Sequence, residues 1–308
     1  MRTARPTAVL GAFLCVASVT LYYLFPNAAP QVAHAATPNV AVGPQYGSTH
    51  VYVAPENFDR LVASVVATFG GSTSKQGVST VTPTPSSTLS QIVLTPAGSL
   101  SVFGFKTPIP YPFGLERTGY LVADMDAAIR GARACGADVL VAPYPDPIGR
   151  DAIIQWPGGV NMQLYWHTTA PSYPPLQNVP ENRIYLSPSA VNAFLHGFLA
   201  FSDGKVVSDN PHAPGIEIGQ PDETYRRIRI QSNFGNLALL VTNGHLPYPY
   251  GRELTGYEVA GLASTLAKAK AAGVTVLVDS YLADHRNAAI VQFPGGYIAE
   301  IHSPEASR

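Results

Sequence analysis

Residues 110–120 read PYPFGLERTGY and residues 247–257 read PYPYGRELTGY, with eight of eleven positions identical at an offset of 137. The repeat runs on past this stretch. GADVLVAP beginning at Gly136 returns as GVTVLVDS at Gly273, and IIQWPGG at Ile153 returns as IVQFPGG at Ile290, at the same offset. Self-similarity of this length describes architecture before it describes chemistry, because both copies must fold by the same local rules. The chain holds two copies of one domain. Its 308 residues, 46% of them hydrophobic, suffice for two ordinary cores.

The N-terminus stands outside the repeat. Arg2 and Arg5 precede an uncharged apolar run over residues 8–25, and Ala33-His34-Ala35 is a small-x-small cleavage site. Residues 1–35 therefore read as a secretory signal peptide, with an uncleaved membrane anchor as the alternative. Cys15 follows Phe13-Leu14 rather than a small residue, which disfavours lipid attachment. The expected location is exported, periplasmic or secreted. Cleavage removes two arginines and no acid, leaving 17 basic and 20 acidic residues and a net charge of −3. No basic block remains to hold nucleic acid. Arg226, Arg227 and Arg229 in RRIRI read as a solvated strand face, with Ile228 and Ile230 turned the other way. Cys135 is the one cysteine left after cleavage, which excludes an internal disulfide. It precedes Gly136 at a helix end and reads as a small packing residue.

Residues 36–47 carry Pro and Gly and read as a leader, followed by a short strand at 50–53. Apolar residues Phe58, Leu61, Val62, Val65, Val66 and Phe69 then fall at helical spacing until Gly70-Gly71. Strands are predicted at 89–94 and 100–105. A second cycle opens at Tyr120, with Asp124 as helix cap, a buried stripe from Met125 to Ala132, and strands at 138–141, 152–155 and 161–166. Residues 168–182 hold four prolines without periodicity and read as the linker between domains. The second half replays the pattern: RIYL at Arg183 matches HVYV at His50, here at an offset of 133. The expected domains are 48–167 and 183–304. The fold class is α+β: four units of the βαβββ type, paired into two domains. A unit with one helix leaves one sheet face bare, so pairing two units curves a mixed sheet into a cup where a small ligand can sit.

This organisation resembles the vicinal oxygen chelate superfamily, the glyoxalase, bleomycin-resistance and ring-cleaving dioxygenase group. The resemblance rests on GYLVADMDAA from Gly119, GADV from Gly136, Pro147-x-Gly-Arg150 and the PGG turn at Pro157. The second copy keeps GYEV from Gly256, AAGVTV from Ala271 and PGG at Pro294. It covers essentially all of the chain after residue 35. The resemblance implies two tandem glyoxalase-like domains, a small-molecule ligand, and a monomer, since internal pairing does what dimerisation does for single-domain relatives. It does not specify activity, because the superfamily hosts lyases, isomerases, dioxygenases, thiol transferases and binders.

The resemblance further implies a divalent metal in each cup, held by His and Glu from the first and last strands, where it would act as a Lewis acid on vicinal substrate oxygens. Carried over, those positions are His50, Arg117 and Gln163 in the first domain, and Arg183, Leu254 and Glu300 in the second. Positions near Ser101 and Leu239 add no carboxylate. His50 and Glu300 are the only ligands at usual positions, and one ligand per cup does not hold an ion. On this reading Glu116 points away from the cup, and a shifted His302, Glu300 and Glu258 set is the alternative metal site.

Without a metal, an inward Arg beside Gln or Glu anchors a carboxylate, carbonyl or hydroxyl. His50, Arg117, Gln163, Arg183 and Glu300 are thus the candidate ligand contacts, with Glu300 the candidate catalytic carboxylate. The other reading of Arg183 and Glu300 is a buried ion pair that closes the cup. Tyr111 and Tyr248 in the PYP loops are candidates to line the mouth, or else these loops are rigid connectors. Trp156 and Phe293 read as core, and Asp284-His285-Arg286 as an exposed loop. Two functional classes remain: an enzyme of lyase, isomerase or dioxygenase type, and a metal-free binding module of the bleomycin-resistance type. A structural protein with filled cups is the third reading.

Overall fold

The computed structural model describes residues 39–252 and 254–305, so the expectation of a signal peptide lies outside the described residues. Two curved mixed sheets account for most of it. The first comprises β1 (Ser48–Tyr52), β2 (Ser72–Thr73), β3 (Gly77–Ser79), β4 (Thr88–Thr95), β5 (Gly98–Phe105), β6 (Thr118–Leu121), β7 (Asp138–Asp146), β8 (Gly149–Trp156) and β9 (Val160–His167). Its order is β2-β4-β5-β1-β6-β9-β8-β7, with β3 on β4. The second comprises β10 (Glu181–Leu186), β11 (Lys205–Pro214), β12 (Thr224–Ser232), β13 (Gly235–Val241), β14 (Thr255–Glu258), β15 (Thr275–Ala283), β16 (Arg286–Gln292) and β17 (Ile298–Pro304). Its order, β11-β12-β13-β10-β14-β17-β16-β15, is the same path. Among the described residues four α-helices, α1 (Phe58–Phe69), α2 (Met125–Ala134), α3 (Val191–Ser202) and α4 (Leu262–Ala271), complete two tandem glyoxalase-like domains.

Alternation along each strand decides which residues meet which layer. Leu100 and Val102 on β5, and Met162 and Leu164 on β9, turn to the helical side and are buried. His50, Ser101, Asp151 and Gln163 turn to the other face, the hollow of the first sheet, here called cup 1. The corresponding face of the second sheet is cup 2.

The helices do not cover separate outer surfaces. One hydrophobic cluster joins Met125, Ala128 and Trp156 of the first domain to Phe194, Phe198 and Ile228 of the second. Another joins Phe58, Leu61 and Val65 to Leu262, Phe293 and Ile301. The two convex faces therefore bury each other, with helices between them. Asp124 caps α2 as its sequence position predicts, accepting from the Ala127 N–H at 2.9 Å.

The repeated PGG turn serves this junction. Gly158, at φ 92°, lies where an added Cβ would come 2.4 Å from Leu186 Cδ2 of the other domain. Gly295, at φ 87°, meets the matching residue of the first domain, Val53, whose Cγ2 would be 2.3 Å away. Each domain thus presses a turn against the other, and only glycine satisfies both the backbone and the clearance.

Two segments read as connectors are part of the packed structure. Val40 is buried in the shared core, and Ala41 bridges Val122. Strand β10 begins at Glu181, inside the proline-bearing stretch, because Glu181 and Asn182 pair with Asn236 and Leu237 of β13. Of the RRIRI arginines, Arg226 stays at the surface against Asp209, while Arg227 and Arg229 differ from expectation. Ile228 and Ile230 face the core, but Arg227 is buried at 3% exposure, since β12 has helices on one side and cup 2 on the other. It has no solvated face at that point.

Gly295→Ala should cost about 2 kcal/mol through strain and the clash with Val53. Because the core is shared, circular dichroism and tryptophan fluorescence should report one coincident transition shifted down by several degrees. Two separated transitions would contradict a common core.

Candidate functional site

The two cups diverge although their backbones repeat. In cup 2, Arg183 on β10 reaches the Glu300 carboxylate of β17 at 2.9 Å, both nearly inaccessible. His302 sits two residues on, with Nδ1 2.8 Å from Glu300 Oε2 and Nε2 3.7 Å from Glu258 Oε2. From β12, Arg227 pairs with Glu217 and Asp284, and Arg229 with Asp284 at 2.7 Å and Glu181 at 3.1 Å. Arg286 meets Glu181 at 3.3 Å, and the Tyr225 hydroxyl donates to Glu217 at 2.7 Å. Side chains occupy this hollow.

Electrostatics follow from that density. Burial opposes ionisation of Glu300, yet Arg183 and His302 outweigh it and hold the carboxyl down at about 2. Burial likewise opposes charge on His302, but the Glu300 charge, with the hydrogen bonds that the imidazole donates to Glu258 and Glu300, lifts its pKa to about 9. Among the described residues the network holds four arginines and five carboxylates, so protonated His302 brings it to neutrality.

Cup 1 is open, enclosing a cavity of about 510 Å³. Its floor carries His50 on β1, Ser101 on β5, Asp151 on β8 and Gln163 on β9. Phe103, Phe113, Ile92 and Val81 supply apolar wall, and Tyr173 and Pro171 from the linker flank the mouth. The register explains the contrast. Ile92 pairs with Ser101 where Arg229 pairs with Ala238, and Ser90 pairs with Phe103 where Arg227 pairs with Leu240. Small or neutral residues in cup 1 stand where cup 2 has guanidinium groups.

The polar floor is ordered by its neighbours. The Ser101 hydroxyl donates to Ser48 Oγ at 2.9 Å. His50 Nδ1 is 3.5 Å from Glu116 Oε1, and the Tyr52 hydroxyl donates to the same carboxylate. Gly119 gives the imidazole room, since a Cβ there would come 2.4 Å from His50 Nε2; Gly256 does the same for Glu300. This clearance accounts for the glycine of the repeated TGY. Asp151 is buried; that burial, then the nearby Asp146 carboxylate, push its carboxyl well above the usual range, against a hydrogen bond from Gln163.

Of the residues expected from sequence, His50 and Gln163 come together in cup 1, and Arg183 and Glu300 in cup 2. Arg117 does not enter cup 1. It faces a cleft of about 650 Å³ between the domains, with Asn182, Arg252 and Thr255. Glu116, read from sequence as facing away, is the residue that meets His50. Strand alternation fails here because β6 starts only at Thr118, so 116 and 117 keep no pleat. Tyr111 and Tyr248 stay on the surface, at 76% and 64% exposure, while Phe113 and Tyr250 of the same loops turn inward. Asp151, Tyr52 and Phe103 were missed.

The residues present fit a divalent cation poorly. In cup 2 the guanidinium of Arg183, which does not deprotonate, holds the carboxylate that would ligate. In cup 1, His50 faces a carboxamide, and the Ser101 and Gly119 positions offer no strong donor. Among the described residues, no group of three or more His, Cys, Asp or Glu is placed to hold a metal ion.

Comparison with solved structures gives three neighbours over most of the chain. A variant of 4-hydroxymandelate synthase from Streptomyces coelicolor has TM-score 0.57 and 12% identity, over 86% of this chain and 94% of that one. A Mn(II)-bound glyoxalase from Novosphingobium aromaticivorans has TM-score 0.53 and 12% identity, over 87% and 83%. A xylose isomerase-like TIM barrel/4-hydroxyphenylpyruvate dioxygenase fusion protein has TM-score 0.55 and 14% identity; 91% of this chain aligns with 52% of the fusion. This is the vicinal oxygen chelate fold. No protein-family model matches the chain, and no curated protein matches it by sequence. At such identities the vicinal oxygen chelate likeness concerns architecture, and the chemistry must be argued from the cups.

The cup 2 network should shape stability against pH. His302 is raised above its unfolded value, so its contribution is complete below about pH 6.5 and is lost as pH rises through about 9. Glu300 is depressed, so its contribution is complete above about pH 4.5 and is lost as pH falls toward 2. His302→Gln should flatten the alkaline limb of a urea-denaturation series and shrink the acid limb without abolishing it, because Arg183 still holds Glu300. Arg183→Met should cost about 3–5 kcal/mol at pH 7 by stranding Glu300.

Proposed function

We propose that the protein is an exported small-molecule binding module of the vicinal oxygen chelate fold, working through cup 1, with cup 2 as its rigid supporting half. The observation that carries this reading is the asymmetry of the cups. One keeps a cavity of about 510 Å³ with apolar walls and a polar floor, while the other is occupied by its own ion pairs. That volume accommodates a ligand of drug-like size, and aromatic walls such as Phe103 and Phe113 suit a planar one. Export is supported by the charged, apolar and small-residue pattern of residues 1–35. Among the described residues no helix is long and apolar enough to cross a membrane. A monomer is supported by the helical faces being covered within the chain.

A second reading, isomerisation of a bound carbonyl compound, draws on His50. Its imidazole faces the cavity with Glu116 behind it, the arrangement of a base oriented by a carboxylate. Such activity would show as solvent deuterium entering a bound ketone, lost in His50→Gln.

The binding reading is tested by amide chemical-shift mapping with a library of planar aromatic fragments. Shifts should converge on strands β4, β5, β8 and β9 and weaken at least tenfold in Ser101→Phe, which fills the floor. Convergence on cup 2, or no convergence, would sink it.

A further inference from the structure

Cup 1 is short of positive charge. Asp151 lies on its floor at 7% exposure and takes a hydrogen bond from Gln163. Among the described residues no arginine, lysine or histidine forms an ion pair with it. Asp146, farther along β7, and Glu116, behind His50, both add negative potential at this carboxyl. The basic groups of the lining are Lys75, His50 and His167. Lys75 is at the exposed mouth, His50 faces Glu116, and burial lowers the pKa of His167. A buried acid among acids is unfavourable unless it is neutralised or meets a cation.

Domain 2 shows how the same scaffold meets an excess of buried carboxylates. Arg227 and Arg229 rise from β12 into the hollow and pair with Glu217, Asp284 and Glu181. Their register counterparts in cup 1 are Ser90 and Ile92, which leave that space empty of charge. Around it stand the rings of Tyr52, Phe103, Phe113, Tyr165 and Tyr173. Aromatic faces attract a cation rather than an anion.

We propose that cup 1 binds a small organic cation, a protonated amine, amidine or guanidine on a planar apolar body, with Asp151 as its counter-ion. The proposal rests on cup 1 being the ligand site and names the ligand's charge. The ligand's cationic head takes the room that Arg227 and Arg229 take in cup 2, and its body lies against Phe103 and Phe113. Gln163 keeps the carboxylate oriented toward the head.

The test uses three probes of one shape: naphthamidine, naphthylmethanol and naphthoate, titrated by calorimetry into the full chain. Naphthamidine should bind at least tenfold more tightly than naphthylmethanol, with naphthoate weakest. Asp151→Asn should bring the amidine to within about twofold of the alcohol. Ile92→Arg, which copies Arg229 into cup 1, should abolish amidine binding, and it carries the test where Asp151→Asn does not fold. Equal or tighter binding of the alcohol or the carboxylate, lost in Ser101→Phe, would overturn the charge assignment and leave the ligand site standing. Amidine preference retained in Asp151→Asn would overturn the role of that carboxyl. No binding by any of the three would overturn both readings.

Discussion

The structure depends on two curved sheets burying their convex, helix-bearing faces against each other. Trp156, Phe194 and Phe198 in one cluster, and Phe58, Leu61 and Phe293 in the other, are each less than 2% exposed. Large side chains removed from water on this scale dominate the free energy of folding. Neither domain could expose that surface alone without a large apolar patch. The most closely repeated motifs serve the same end. PGG presses each domain's turn against its neighbour, and TGY places a core tyrosine beside a glycine that clears room for a polar side chain. The junction makes the same packing demand on both copies, and the concave faces are under no such demand.

They have changed in opposite directions. Cup 2 is an interlocked set of buried ion pairs, and such sets seldom add much stability over an apolar core of equal volume. Their effect is on uniqueness: removing any one partner strands another, so the hollow tolerates a single arrangement. Cup 1 has the hydroxyl of Ser90 and the neutral aliphatic Ile92 at the same strand positions, and among the described residues no cation forms an ion pair with its buried Asp151. One half is thus closed by its own side chains, and the other keeps a cavity of about 510 Å³.

The fold was legible because duplication repeats every local signal at a fixed spacing. Helix stripes at Phe58 and Met125, the cap at Asp124, and the PGG turns all followed from spacing and residue type. The cups were legible only where a strand runs unbroken. His50 and Gln163 were placed correctly because β1 and β9 alternate strictly, while Glu116 and Arg117 exchanged roles because they precede the first paired residue of β6. The same limit applies to PYPFG, where the loop rather than strand pleat decides that Phe113 turns in and Tyr111 out. The arginines of RRIRI looked solvated because charge usually seeks water. Only the fold shows that Glu217, Asp284 and Glu181, scattered over some hundred residues, wait on the far side. Long-range partners of this kind leave no periodic trace.

Duplication also lets the two hollows be compared position by position. At the strand positions facing each other across the hollow, cup 1 pairs His50 with Gln163, and cup 2 pairs Arg183 with Glu300. Each has a ligand type on one side and a non-ligand on the other. Arginine is the harder change to reverse, because its charge is permanent at any physiological pH and it occupies the very carboxylate a cation would need. A carboxamide opposite an imidazole blocks nothing; it accepts and donates hydrogen bonds and leaves the volume open. The physical asymmetry between guanidinium and carboxamide, at matched positions of two matched sheets, helps to fill one hollow and leave the other open.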